Sequence, residues 1–392
     1  MTKPDFNHRR VILFLGILNA LTPFTIDLYL PAFADIARDL NTNVARVSLS
    51  VATYFVGYAI GQLIYGPFLD RFGRKNPIYV GLSIYLAATI GCMTAQSIEA
   101  LLVFRFLSAL GGSAASVAAV AMVRDYFDHK EGARVFSYLM LVLSTSPLFA
   151  PSIGGWMALH YGWRSVFAFL IVMAIMNLVI IAFGLPKAFE GDKSVQMSPG
   201  PLYRGFREIF AVREFRKYAI AGALSFSGLF VYLTGSPAIF IDGFGLSKQE
   251  YSLIFAFLAV AMIGGGQVNN QIMKKYSSAV IYKKTILIQM CMAIAFFGAV
   301  VLFGLNLSAT IGFIFVLLLS VGIAYPNAAS LAMGSFTNNA GRASALLGFI
   351  QMGTGAILAS LVGLMDISGT LPTAMVMCFS AILAWIVLKL MP

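Results

Sequence analysis

Apolar residues run along this chain in blocks of about twenty, and polar residues collect in the gaps between them. Twelve blocks can be drawn: 10–33, 47–68, 77–96, 99–123, 135–158 and 164–185, then 217–240, 249–272, 282–304, 309–335, 343–365 and 371–390. Most are apolar all round, with no alternation of period two. The pattern therefore predicts membrane-crossing helices, each satisfying its own backbone hydrogen bonds. One long polar segment interrupts the series. It divides the chain into an amino-terminal six-helix bundle (1–185), a cytoplasmic linker (186–216) and a carboxy-terminal six-helix bundle (217–392). Within the linker, 201–214 reads as a helix lying on a surface.

Composition agrees with this reading. Hydrophobic residues make up 59% and charged residues 11%, where a soluble domain carries about 25% charged residues. The net charge of +11 would suit nucleic acid, but its distribution says otherwise. Of the 27 Lys and Arg, only Arg38, Arg46, Arg164 and Lys248 fall on one side of the predicted spans, and Arg105 lies within a span. The other 22 share the opposite side. That asymmetry is the positive-inside pattern, which puts both termini in the cytoplasm and excludes a nucleic-acid partner. The first apolar stretch, Val11–Leu30, is too long for a cleavable signal and reads as a retained span. Cys92, Cys291 and Cys378 fall in three different spans, so neither a disulfide nor a metal site is expected. No cofactor motif occurs: HExxH, GxSxG and GxxxxGK[ST] are all missing, which argues against an enzyme.

The two halves echo each other. Gly66, Asp70 and Lys75 recur 200 residues later as Gly266, Asn270 and Lys275, and Phe55 recurs as Phe255. Gly132-Ala-Arg134 before the fifth span resembles Gly341-Arg342 before the eleventh. Two parallel repeats predict a cargo site between the halves, near the membrane midplane.

The loop Gly66-Pro-Phe-Leu-Asp70-Arg71-Phe-Gly73-Arg74-Lys75 resembles the signature loop of the major facilitator superfamily. Gly66 is expected to allow close helix approach, Asp70 to cap or pair with a neighbouring helix end, and Arg71, Arg74 and Lys75 to hold the loop inside. Three further stretches are similar to the Bcr/CflA group of drug/proton antiporters. They are Asp27-Leu-Tyr29-Leu-Pro31, Arg105 through Gly111-Gly112 to Arg124-Asp125, and Pro147-Leu-Phe-Ala-Pro151-Ser-Ile-Gly154-Gly155. The last looks like the antiporter motif, a helix packed against the other half. The resemblance implies a proton-coupled exporter of drugs or other small amphiphilic compounds, acting as a monomer in the bacterial inner membrane among lipid. A metabolite or siderophore carrier is the alternative on the same scaffold.

Only one of the sixteen carboxylates, Asp27, lies clearly within a span, and Arg105 is the matching lone cation. Intramembrane charges are costly and usually functional. Asp27 is therefore read as the proton carrier and Arg105 as the group that tunes it, with a static ion pair as the alternative. Asp70, Arg71, Arg74, Arg124 and Asp125 read as a conformational latch, or else as plain topological anchors. The resemblance places the cargo site in the first, fourth, fifth, seventh, eighth, tenth and eleventh spans. Candidate cargo contacts there are Asn19, Thr22, Phe24, Tyr29, Ser108, Ser144, Phe230, Tyr232, Tyr325, Asn327 and Gln351. Such a wall suits a neutral or weakly cationic amphiphile. Pro147, Pro151, Ser236-Pro237 and Tyr325-Pro326 are expected to bend or interrupt their helices, as gates or as packing kinks.

Overall fold

In the computed structural model, which describes residues 8–127, 129–184, 191–192, 199–336, 340–365 and 369–391, the first apolar block is not one helix. Helix α1 (His8–Asp27) stops at the acid, a single 3-10 turn covers Leu30–Ala32, and α2 (Phe33–Asp39) follows. The cause is local. Pro31 has no amide hydrogen to give the carbonyl of Asp27, four residues earlier, so the ladder cannot continue through it.

The remaining helices are α3 (Val44–Phe72), α4 (Lys75–Thr94), α5 (Ile98–Tyr126), α6 (His129–Tyr161), α7 (Arg164–Val179), α8 (Pro199–Ala211) and α9 (Arg213–Pro237). They continue with α10 (Lys248–Ile272), α11 (Ser278–Phe303), α12 (Leu307–Met333), α13 (Ala340–Leu364) and α14 (Leu371–Leu390). No strand occurs among the described residues. Among the described residues, eleven segments are long and apolar enough to cross a membrane. The 33-residue α6 covers the remaining expected span, 135–158. The expected interruption at Tyr325-Pro326 does not occur, since α12 runs past it, and α6 carries Pro147 and Pro151 within one continuous helix. After Pro237, α9 instead passes into a π-helical turn, Ala238–Gly243.

Small residues set the helix spacing. A Cβ at Gly57 would lie 2.3 Å from the carbonyl oxygen of Phe106, where α3 crosses α5. The counterpart crossing of α10 on α12 is just as tight, with 2.3 Å from Gly265 to the Leu319 oxygen. Such close approach is how membrane helices gain packing energy without a hydrophobic drive. Gly66 behaves differently from expectation. A Cβ there would meet nothing within 4 Å, so it mediates no close contact in this state.

The halves meet where α3 packs on α13 and α6 packs on α10. The end of the molecule that carries α8 and the 70–75 loop is the linker end; the other is the distal end. Contacts between the halves run from the distal end to the middle. They include Ser252 Oγ donating to the Pro151 carbonyl (3.0 Å) and the Phe55 and Phe230 rings, whose centroids lie 4.4 Å apart. Gln62 lies against Gly348 in the same seam. Towards the linker end, Arg74 pairs with Asp70 and Asp125 inside the first half, and Phe215 packs edge-on against Phe336 inside the second. There α8 buries Ile209 against Phe215 and Leu346, and leaves Tyr203 exposed.

At the distal end one guanidinium joins three elements. Arg164 donates to Asp39 (2.6 Å) and to the carbonyls of Met93 and Ala95 (both 3.1 Å), and stacks over Trp163. A Lys cannot reproduce that fork. Arg164→Lys should therefore lower the melting temperature of purified protein nearly as far as Arg164→Ala; full retention of stability by Lys would contradict this.

Candidate coupling site and conformational latch

Asp27 is 3% exposed at the last residue of α1, where the chain leaves the helix. It takes part in no hydrogen bond or ion pair with the described residues. Instead it lies within electrostatic reach of Tyr232 and Tyr251, both from the other half. The turn that carries it is braced from behind. Gly154 of α6 presses against this turn so closely that a Cβ would overlap the Leu28 carbonyl oxygen, at 1.6 Å. Any side chain at 154 would displace the backbone next to the acid.

Arg105 is 1% exposed and its guanidinium does not meet Asp27. It lies between the rings of Tyr29 and Tyr54, 4.3 and 4.5 Å from their centroids. Tyr85 and Cys92 complete the surroundings, while Nε and Nη2 have no hydrogen-bond partner. The static ion pair of Arg105 with Asp27, the alternative reading of these two charges, is thus absent, and aromatic faces take the place of a carboxylate. Tyr54 and Tyr85 were missing from the sequence candidates. A spacing signal existed: Tyr54 recurs at Tyr58 on one helical face, but nothing in the sequence linked that face to α5.

The predicted latch residues do assemble, in part. Arg74, 6% exposed, donates from Nη1 to Asp70 (2.9 Å) and from Nε to Asp125 (2.6 Å), with a weaker Nη2 bond to Asp125 (3.3 Å). Burial alone would weaken its hold on the proton; the bonds to Asp125 and Asp70 outweigh that and raise its pKa. The result ties the loop after α3 to the end of α5. Gly73, with φ of +78°, makes the turn into the loop, Arg71 lies over the Phe72 ring, and Lys75 begins α4. The side chains of Arg124 and Ser144 lie outside the described residues, as do Lys187 and Lys193 of the linker.

The cargo candidates separate into two groups. Asn19 donates to the Leu139 carbonyl, Phe24 packs on Phe169, Ser108 bonds within its own helix, and Asn327 donates to Asn269. Tyr29 belongs to the Arg105 cage and bonds Ser50. Gln351 is buried, and Thr22 and Tyr232 are buried with hydroxyls that lack a partner. Tyr325 is different: it is 39% exposed, and it stacks on Phe226 at 4.4 Å. Phe226 in turn packs edge-on against Phe230. Of the packing residues, Pro151, Gly154 and Gly155 touch α1 or α10, whereas Pro147 is only partly buried.

A family model described as Major Facilitator Superfamily matches residues 15–360. The chain belongs to the Major Facilitator Superfamily. Among its relatives is an uncharacterized MFS-type transporter, YdgK, of Bacillus subtilis, 30% identical over 97% of this chain and 95% of that one. A bicyclomycin resistance protein homolog of Haemophilus influenzae and multidrug resistance protein D of Escherichia coli are each 28% identical, over 92% of this chain and 90% of theirs. These names agree with the Bcr/CflA group that the motifs resemble. The fold matches a bacterial homologue of the human lysosomal transporter Spinster, crystallised inward-facing and occupied, with a TM-score of 0.75 at 17% identity, covering 99% of this chain and 96% of that one. As a superfamily member the protein is a multi-pass membrane transporter and not an enzyme.

Two substitutions test the cage. Tyr54→Phe keeps the ring over Arg105 and removes a buried hydroxyl that has no partner, so stability should hold or rise slightly. Tyr54→Ala removes the ring and should cost about 3–5 kcal/mol. Equal losses in thermal melts of the two proteins would show that the hydroxyl, not the ring, carries the interaction.

Proposed function

We propose that this protein is a proton-coupled exporter of neutral or weakly cationic amphiphilic small molecules, drugs among them, working as a monomer by alternating access. The observation that carries the reading is Asp27: a buried carboxyl at a helix break, with no fixed partner, beside tyrosines of the opposite half. Such a group exchanges a proton without first breaking an ion pair. Its two tyrosine neighbours belong to helices that move relative to it whenever the halves rock, so its surroundings differ between states. Proton loading and conformation are thereby linked.

The orientation follows from the basic residues. The linker end faces the cytoplasm of a bacterial inner membrane and the distal end faces outward. In that orientation the contacts that join the halves lie on the outer side, as in a state that receives cargo for export. Tyr325, Phe226 and Phe230 offer it an aromatic wall in the second half, and Thr22 and Tyr232 offer free hydroxyls. The Asp70–Arg74–Asp125 cluster changes partners between states, and Arg105 acts on Asp27 indirectly, through Tyr29 on the same broken segment. Resistance names among the relatives, for bicyclomycin and for multiple drugs, support a drug as cargo. An apolar cavity wall with a single nearby acid also disfavours strongly anionic cargo.

In proteoliposomes with an imposed pH gradient, Asp27→Asn should lose gradient-driven drug flux while remaining folded. Bicyclomycin and ethidium are suitable probes. Flux equal to wild type in Asp27→Asn would contradict the assignment. Tight competition by one metabolite and by no drug would favour a dedicated carrier.

A further inference from the structure

Asp35 of α2 and Lys248, the first residue of α10, form an ion pair across the boundary between the halves at the distal end. The side chains are only 24% and 18% exposed, so water screens the pair less than a surface contact. Two nearby carboxylates are committed elsewhere: Asp39 accepts from Arg164 and Trp163, and Glu250 caps its own helix by bonding the amide and hydroxyl of Ser247. Lys248 pairs with Asp35.

The pair also sits on the two segments that meet over Asp27. Asp35 lies eight residues beyond it, across the Leu30–Ala32 turn. One turn into α10, Ser252 donates to the Lys248 carbonyl (2.7 Å) and to the Pro151 carbonyl of α6 (3.0 Å). Because its members belong to opposite halves, the pair cannot survive an opening of the distal end.

We propose that Asp35 and Lys248 are positioning residues for transport: a charged latch that holds the distal mouth shut over Asp27 and breaks each time the mouth opens. The proposal rests on the alternating-access reading above. The latch biases the equilibrium towards the inward-facing state, and the short path from Asp27 to Asp35 gives movement at the acid a direct mechanical route to it.

The test is a distance measurement that needs neither cargo nor a proton gradient. Spin labels at Gln96 and Ser308, both exposed at the distal end of opposite halves, report the separation of the mouth in reconstituted full-length protein. Asp35→Asn and Lys248→Gln should each raise the ratio of open to closed molecules by about fivefold or more. The exchange Asp35→Lys with Lys248→Asp should restore the closed distribution and recover transport lost in the single variants. An unchanged distribution in both single variants overturns the latch. So does a swap that is stably folded by thermal melting yet stays as open as the singles. If a single variant aggregates, the swap alone decides. Loss of flux in Asp27→Asn with the distances unchanged would leave the latch standing; loss of the latch would leave the role of Asp27 standing.

Discussion

The guanidinium of Arg105 lies between two tyrosine rings, and no carboxylate reaches it. A cation in this position is costly, and desolvated ring faces return about 2 kcal/mol or more for such a contact. Much of what the rest of the first half does follows from that choice of partner. The Tyr29 ring must be held with its face towards the guanidinium, and Ser50 anchors its hydroxyl at 2.9 Å. The tyrosine comes from the segment just after Asp27, so Arg105 fixes the broken turn without neutralising the acid. Were Asp27 itself the counter-charge, removing either partner would leave a buried charge uncompensated, and each protonation would break a structural bond. Tyrosine leaves the acid free.

Around that acid the halves are joined at the distal end, by contacts that run from the Asp35–Lys248 pair to the Phe55–Phe230 rings, and at the linker end Arg74 ties Asp70 to Asp125 within the first half. Gly154 has a particular place here. It lets α6 touch the backbone of the turn next to Asp27, so rigid movement of that helix is felt at the acid. The antiporter motif thus bears on the acid as well as on packing between the halves.

The fold was legible because the bilayer imposes one length and one polarity on every crossing, and the blocks in the sequence copy both. Helix ends were less so: Pro31 ended α1, but Pro147, Pro151 and Pro326 left their helices unbroken, since neighbouring helices accommodate the missing donors. The Arg74 cluster could be foreseen because its members share a short motif. The Arg105 cage could not, because Tyr54 and Tyr85 come from two helices and Tyr29 from the turn after α1, and helices apolar all round give no sign of which face meets which. The static ion pair, the alternative reading of the two lone charges, does not form, because aromatic faces can also hold a cation. Four of the polar cargo candidates, Asn19, Tyr29, Ser108 and Asn327, proved to be bonded within the protein. Polarity in a span marks internal hydrogen bonding at least as often as a cavity.

The central claim is that Asp27 carries the proton and that cargo and proton influence each other there. Proton release on cargo binding tests this most directly, measured with a pH-sensitive dye in weakly buffered, purified protein. Addition of a transported drug to wild type should change the number of bound protons, with a pH dependence that disappears in Asp27→Asn although the drug still binds. A proton change of equal size in Asp27→Asn would place the coupling group elsewhere and contradict the account.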